Sequence, residues 1–196
     1  PEEGYLVTTA LHAWMNGESV GTWAVDRATH SFVYDASWLR SPKVRSLSLS
    51  LPITASREVR GDAVANYFDN LLPDNDRIRE RLSRRFKTKR ADAFSLLEAI
   101  GRDCVGAVQL LPEETTPTGW NRIDCEPLDD GQIAEILRAV PADVGPGSVR
   151  QPDDDLFRIS IAGAQEKTAF TQAGGRWCRP HGATPTTHIF KLPLGL

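Results

Sequence analysis

Asn16–Gly17 is the tightest constraint on what this chain folds into. The stretch "LVTTALHAWM" precedes the pair and "ESVGTWAVD" follows it, and both are rich in β-formers. A two-residue type I′ turn needs positive φ at both central positions, which asparagine and glycine adopt most readily. The first forty residues are therefore expected to start a sheet by a hairpin, with "HSFVYDASWL" adding a third apolar stretch. In "LSLSLP", Leu47, Leu49 and Leu51 alternate with Ser46, Ser48 and Ser50. Such alternation reads as a half-buried strand. Pro52 offers a competing, bent conformation.

The period then changes from two to 3.6. Val64, Tyr67, Phe68, Leu71 and Leu72 fall on one helix face, with Asp62 placed to cap and Pro73 to stop. "DRIRERLSRRF" repeats the pattern through Ile78, Leu82 and Phe86. "DAFSLLEAIGRD" gives a third helix, capped by Asp92 and ended near Gly101. "VGAVQLLP" returns to strand, "PEETTPTGWNRID" reads as a surface excursion, and Asp129 or Asp130 caps a helix over "GQIAEILRAV".

"PADVGPGSVRQPDDD" is rich in Pro, Gly and Asp and reads as a linker. Beyond it, "LFRISI", "TAFTQ", "RWCRP" and "TTHIFKLP" are expected as strands, with "AGAQEK" and "AGG" as turns. The expected class is α+β: a β-rich N-terminal subdomain with helices over 1–145, then an antiparallel β meander over 146–196. Strand, glycine-bearing loop, strand, and a further strand with a central lysine is also the order of a protein-kinase N-lobe.

Composition narrows the function classes. A net charge of −3 with 40% apolar residues describes an ordinary globular protein and gives no global basic excess for nucleic acid. Cys104, Cys125 and Cys178 form no CxxC pair, so neither a zinc site nor a disulfide framework is suggested, and a reducing cytoplasm is the expected location. No apolar run approaches the ~18 residues of a membrane span. The sole methionine is Met15 and an apolar strand runs to the last residue, so a portion of a longer protein is expected.

The chemistry concentrates in "FRISIAGAQEKTAF", residues 157–170. A loop binds phosphate best by turning several backbone N–H groups inward, and small side chains permit the approach. Ala162, Gly163 and Ala164 are small, Lys167 adds a charge and Thr168 a hydroxyl. The run matches neither G-x-x-x-x-G-K-[ST] nor G-x-G-x-x-G, and on pattern alone a tight hairpin with a polar tip is the stronger reading. Lys191 lies within apolar "HIFKLP", on one strand face with Ile189 and Thr187, opposite His188, Phe190 and Leu192. There it must snorkel, pair with a carboxylate, or meet an anion. Coming after a phosphate-type loop, it reads better as a lysine for the ATP phosphates.

Other charged and aromatic groups have plainer readings. Residues 77–90 carry eight basic residues and one acid, which suits nucleic acid, but Ile78, Leu82 and Phe86 give that helix a buried face and its cations a solvated one. Asp69, Asp74 and Asp153 to Asp155 read as helix, turn and linker acids. Trp14, Trp23 and Trp38 read as core, and His12, His30, His181 and His188 lack metal-ligand spacing.

"FRISIAGAQEKTA" followed by "THIFKLP" resembles the HipA-type serine/threonine kinases, toxins of bacterial toxin–antitoxin pairs. "LSLSLP", "YFDNLLPDN" and "IGRDCVGAVQLLPEE" match that family's N-terminal region in order and spacing. The resemblance implies a kinase-like fold using ATP and Mg²⁺ to phosphorylate protein serines, with aminoacyl-tRNA synthetases as targets. It implies that Ala162, Gly163, Ala164, Gln165, Glu166 and Lys167 contact ATP phosphates and that Lys191 binds the nucleotide. Ser160 corresponds to a self-phosphorylation site that switches the kinase off. A small DNA-binding antitoxin is the implied partner, any DNA contact running through it, with no membrane role. The catalytic and metal-binding aspartates belong to a later lobe that this chain does not reach, so it is expected to be inactive alone. The alternative is a standalone interaction module or split-kinase subunit that binds a kinase lobe or antitoxin.

Overall fold

Asn16 and Gly17 both take positive φ, 51° and 79°, in the structure, a computed structural model describing residues 9–104, 107–139, 159–160 and 167–191. Their turn joins β1 (Thr9–Met15) to β2 (Glu18–Asp26), with Met15 opposite Glu18. β3 (Thr29–Tyr34) and β4 (Glu58–Arg60) extend the sheet on one side. β6 (Val108–Pro112), β5 (Asp103–Cys104) and β8 (Ile159–Ser160) extend it on the other. The order is β4-β3-β2-β1-β6-β5-β8, antiparallel except for the β5–β8 pair.

One face of this sheet carries the main core. Leu11, Ala13, Trp23, Phe32 and Tyr34 are buried there beneath α2 (Asp62–Asp69) and α4 (Ala93–Ile100). Trp23 stacks on Phe68 of α2 with ring centroids 4.0 Å apart and planes 9° apart, and meets Phe94 of α4 at 4.9 Å. The predicted helix face of Val64, Phe68, Leu71 and Leu72 is buried, although α2 stops at Asp69, before Pro73. Gly61 rather than Asp62 holds the N-cap position. Asp92 caps α4 by accepting from Ser95 N at 3.0 Å, and Gly101 follows its end. The short α1 (Ala36–Leu39) buries Trp38, whose Nε1 donates to Arg45 O at 2.9 Å.

"LSLSLP" is not a strand. Leu47 is half-buried, Leu51 fully buried and Leu49 99% exposed, so the three leucines do not share a face. Ser48 and Leu51 close a tight turn through Leu51 N donating to Ser48 O at 3.1 Å. Serine hydroxyls supply local alternatives to strand pairing. Ser46 Oγ accepts from Ile53 N, and Ser48 Oγ accepts from Ser50 N. Tyr34 clamps the turn: its hydroxyl donates to Leu51 O at 2.5 Å and accepts from Leu47 N at 2.9 Å.

A second, antiparallel sheet runs β11-β9-β10-β7, from His188–Lys191, Lys167–Ala173, Arg176–Pro180 and Cys125–Pro127. α5 (Asp130–Ala139) covers one face, where Leu128, Ile133, Ile136 and Phe170 pack with Leu137, Trp177 and Phe190. Asp129 caps α5 reciprocally: its carboxylate accepts from Gln132 N at 2.8 Å while Gln132 Oε1 accepts from Asp129 N at 2.9 Å.

The α+β class expected from the sequence is what the structure has, but pairing cuts across the linker. β7 and α5, upstream of it, belong to the second sheet; β8, downstream, closes the open edge of β5 in the first. β8 and β9 therefore form no hairpin around "AGAQEK", because β10 and β11 already take both edges of β9. The excursion over 113–124 is also anchored. Trp120 lies against the β1–β2 turn so closely that a Cβ on Gly17 would sit 2.2 Å from its ring.

Candidate phosphate-binding site

Lys191 is the direct register partner of Lys167 across β9 and β11. Residues directly opposed in an antiparallel pair point to the same face. Both lysines therefore emerge opposite the face where Phe190 packs edge-on against Phe170 and Trp177. Alternation along β11 leaves Ile189 55% exposed and Lys191 exposed on the lysine face. Lys191 thus stands on the open face of an edge strand and is not immersed in the core. Lys167 is the first residue of β9 and the last residue of the proposed loop.

Ala162, Gly163, Ala164, Gln165 and Glu166 lie outside the described residues. Ser160 lies in β8, where it pairs in parallel register with Cys104. That places its backbone in the first sheet, six residues in sequence before the second sheet begins at Lys167.

The Lys167 ammonium is in an electrostatically unfavourable place. Burial pushes its pKa below the ordinary lysine value and the Lys191 charge pushes it further, while Asp74 opposes the shift. An anion brought between the two lysines would relieve both penalties. A phosphate, with several oxygens carrying dense charge, can accept from both ammonium groups at once.

Asp74 comes from the helical part of the first unit. Asn70 to Asn75 form the connection into α3 (Asp76–Phe86), and Arg79 fixes it. Its guanidinium donates to both Asp69 carboxylate oxygens, at 2.6 and 3.0 Å, and its Nε donates to Pro73 O at 2.5 Å. Asp69 is thus a structural acid, as the sequence suggests. Asp74 is exposed, and its charge acts on Lys167 of the second sheet. Nothing in the sequence signalled this, because the two residues lie 93 positions apart. On α3, Arg79 is turned inward, and Arg81, Arg84 and Arg85 are each engaged by neighbours. Arg77, Lys87 and Lys89 form the solvated side.

A sequence model described as the HipA N-terminal domain matches residues 11–111, about half of the chain. The chain belongs to the HipA family. Its relatives include "Putative kinase Y4mE" of Sinorhizobium fredii, 32% identical over 193 residues, covering 96% of this chain and 44% of that protein. The serine/threonine-protein kinase toxin HipA of Shewanella oneidensis is 23% identical over 187 residues, covering 94% and 40%. A solved structure of the Shewanella oneidensis HipA with HipB and operator DNA matches with a TM-score of 0.63 and 21% identity, over 93% of this chain and 41% of that one. At that identity the match establishes the HipA fold. The chain spans less than half the length of these relatives.

Proposed function

We propose that this chain is the N-terminal portion of a HipA-type serine/threonine kinase and forms the phosphate-gripping wall of its ATP cleft. The observation that carries the reading is the register of Lys191 against Lys167, the last residue of the "AGAQEK" segment. ATP, when bound, supplies the γ-phosphoryl group for transfer to a protein serine. The two lysines neutralise and orient the phosphate chain, while the amides of the loop from Ala162 to Glu166 are assigned to close contact with its oxygens. Mg²⁺ ligation and the catalytic aspartate are assigned to the part of such kinases that this chain does not span, since transfer also requires metal and base.

Ser160 is proposed as the self-phosphorylation site. A phosphate there adds roughly 1.5 to 2 negative charges at neutral pH. Placed just before the loop, it competes with the nucleotide for the same cations. Likeness to the HipA–HipB–operator complex supports a small DNA-binding antitoxin of the HipB type as partner, with DNA contact through that partner; an aminoacyl-tRNA synthetase substrate rests on the motif resemblance alone.

The test is nucleotide binding and phosphate transfer by the chain joined to its kinase lobe, beside the 196-residue chain alone. The joined protein should transfer phosphate and the short chain should not. Lys191→Ala and Lys167→Ala should each weaken ATP binding by about 10- to 100-fold, the range for a charge-assisted hydrogen bond. Unchanged affinity in the double variant would overturn the assignment. Mass spectrometry of the joined protein, with Ser160→Ala as control, tests the off-switch.

A further inference from the structure

Cys125 and Cys178 lie on neighbouring strands of the second sheet, β7 and β10. The register pairs Cys178 with Pro127 and Pro180 with Cys125. Alternate residues on a strand share a face, so the two cysteines are diagonal neighbours on one face of the sheet. Glu126 and Arg179, opposite each other between them, occupy the other face and form an ion pair at 3.4 Å.

We infer that Cys125 and Cys178 are an intramolecular disulfide site that ties the edge strand β7 covalently to β10. The register sets their side chains side by side on that face, and the Cys178 thiol acts on the Cys125 thiol. Both are free, Cys178 buried and Cys125 half-buried, so an oxidant in solution meets Cys125 first. Cys104 does not compete: it is buried in the first sheet, where its thiol donates to Gly101 O at 3.4 Å. β7 is only three residues long and has one neighbour among the described strands, so it can shift to reach disulfide geometry with little loss of pairing.

The oxidant required is a low-molecular-weight disulfide. The Cys125 thiolate attacks one sulfur of that disulfide, its S–S bond breaks, and one small thiolate leaves. The Cys178 thiolate then attacks Cys125 Sγ, the mixed disulfide breaks, and the second small thiolate leaves. Two electrons pass from the cysteine pair to the small disulfide, and the two protons given up by the pair end on the released thiolates. Burial, followed by the Cys178 thiol and charge, pushes the Cys125 thiol above the usual range. The reaction therefore quickens as pH rises, because the thiolate is the nucleophile.

The experiment incubates the chain with oxidised glutathione at pH 7, 8 and 9, then denatures it in alkylating reagent and maps the non-reduced peptides. Alkylatable thiols should fall from three to one, with a peptide joining Cys125 to Cys178 and with Cys104 still alkylated. The rate should rise with pH. In Cys178→Ser the reaction should stop at a stable glutathione adduct on Cys125. In Cys125→Ser, a change at the half-buried position, both remaining thiols should survive. A wild-type chain that stops at the Cys125 adduct, links to a second chain, or pairs either cysteine with Cys104 would overturn the inference.

Discussion

Lys167 and Lys191 are cross-strand partners of like charge on one face of the β9–β11 pair. Directly opposed like charges destabilise a sheet, by about 0.2–1 kcal/mol. Lys191→Met should therefore raise the melting temperature of the chain by about 1–3 °C at neutral pH. Sodium tripolyphosphate should stabilise the wild type and leave the variant unmoved. Scanning calorimetry with and without tripolyphosphate reads both effects, and a variant that melts below the wild type would contradict the repulsion.

The Arg79 clamp makes a different prediction. Arg79 is largely buried, and it satisfies Asp69 and the carbonyl of Pro73 together. Arg79→Ala should cost about 2–3 kcal/mol, because charged hydrogen bonds are lost and the Pro73 carbonyl loses its donor. Arg79→Lys should recover only part of this, since an ammonium cannot hold both carboxylate oxygens in fork geometry. Urea denaturation of the three proteins measures the series.

The serine-leucine turn can be checked with one pair of substitutions. Leu51→Ser places a hydroxyl at a fully buried site and should cost about 3 kcal/mol or more. Leu49→Ser alters a side chain that is 99% exposed and should stay within about 0.5 kcal/mol of wild type. Equal losses would restore the strand. Tyr34→Phe should cost about 1–3 kcal/mol by leaving Leu47 N without its acceptor and Leu51 O without its donor.

Gly17 tests the anchoring of the excursion. Any side chain there meets both a positive φ of 79° and the Trp120 ring. Gly17→Ala should lose about 1–2 kcal/mol and shift the Trp120 emission to the red as the ring is displaced. Trp120→Ala in the Gly17→Ala background should recover part of the loss, because the steric conflict is gone while the backbone strain remains.

Tyr67 gives the pH prediction. Burial, with smaller contributions from the Cys104 and Tyr34 charges, pushes its phenol from 10.0 up to about 12. Between those values the folded chain holds a proton that the unfolded chain has lost. The stability contributed by Tyr67 is thus complete below pH 10 and drains away as pH rises towards 12. Relative to wild type, Tyr67→Phe should gain stability steadily across that window, read as the difference in urea midpoints. A constant difference would place the phenol in contact with water.

Much of the chain was legible from neighbours in sequence. The Asn16–Gly17 turn, the Asp92 and Asp129 caps, and the buried faces carried by Val64, Phe68 and Ile78 all depend on interactions within a few residues. Composition and periodicity carry such interactions directly. The lysine face of β11 was legible for the same reason, because alternation along a strand is a local property.

What only the tertiary structure decided is which strands meet. Alternating leucines from Leu47 to Leu51 look like a strand until the Tyr34 hydroxyl and those of Ser46 and Ser48 satisfy that backbone locally. β8 and β7 each crossed to the sheet on the far side of the linker, where an open edge had unpaired N–H and C=O groups to receive them. The register of Lys191 against Lys167, the charge of Asp74 acting on Lys167, and the meeting of Cys125 with Cys178 are likewise matters of long-range placement. Long-range backbone pairing is selected by the whole set of available edges, and no window of sequence contains that set.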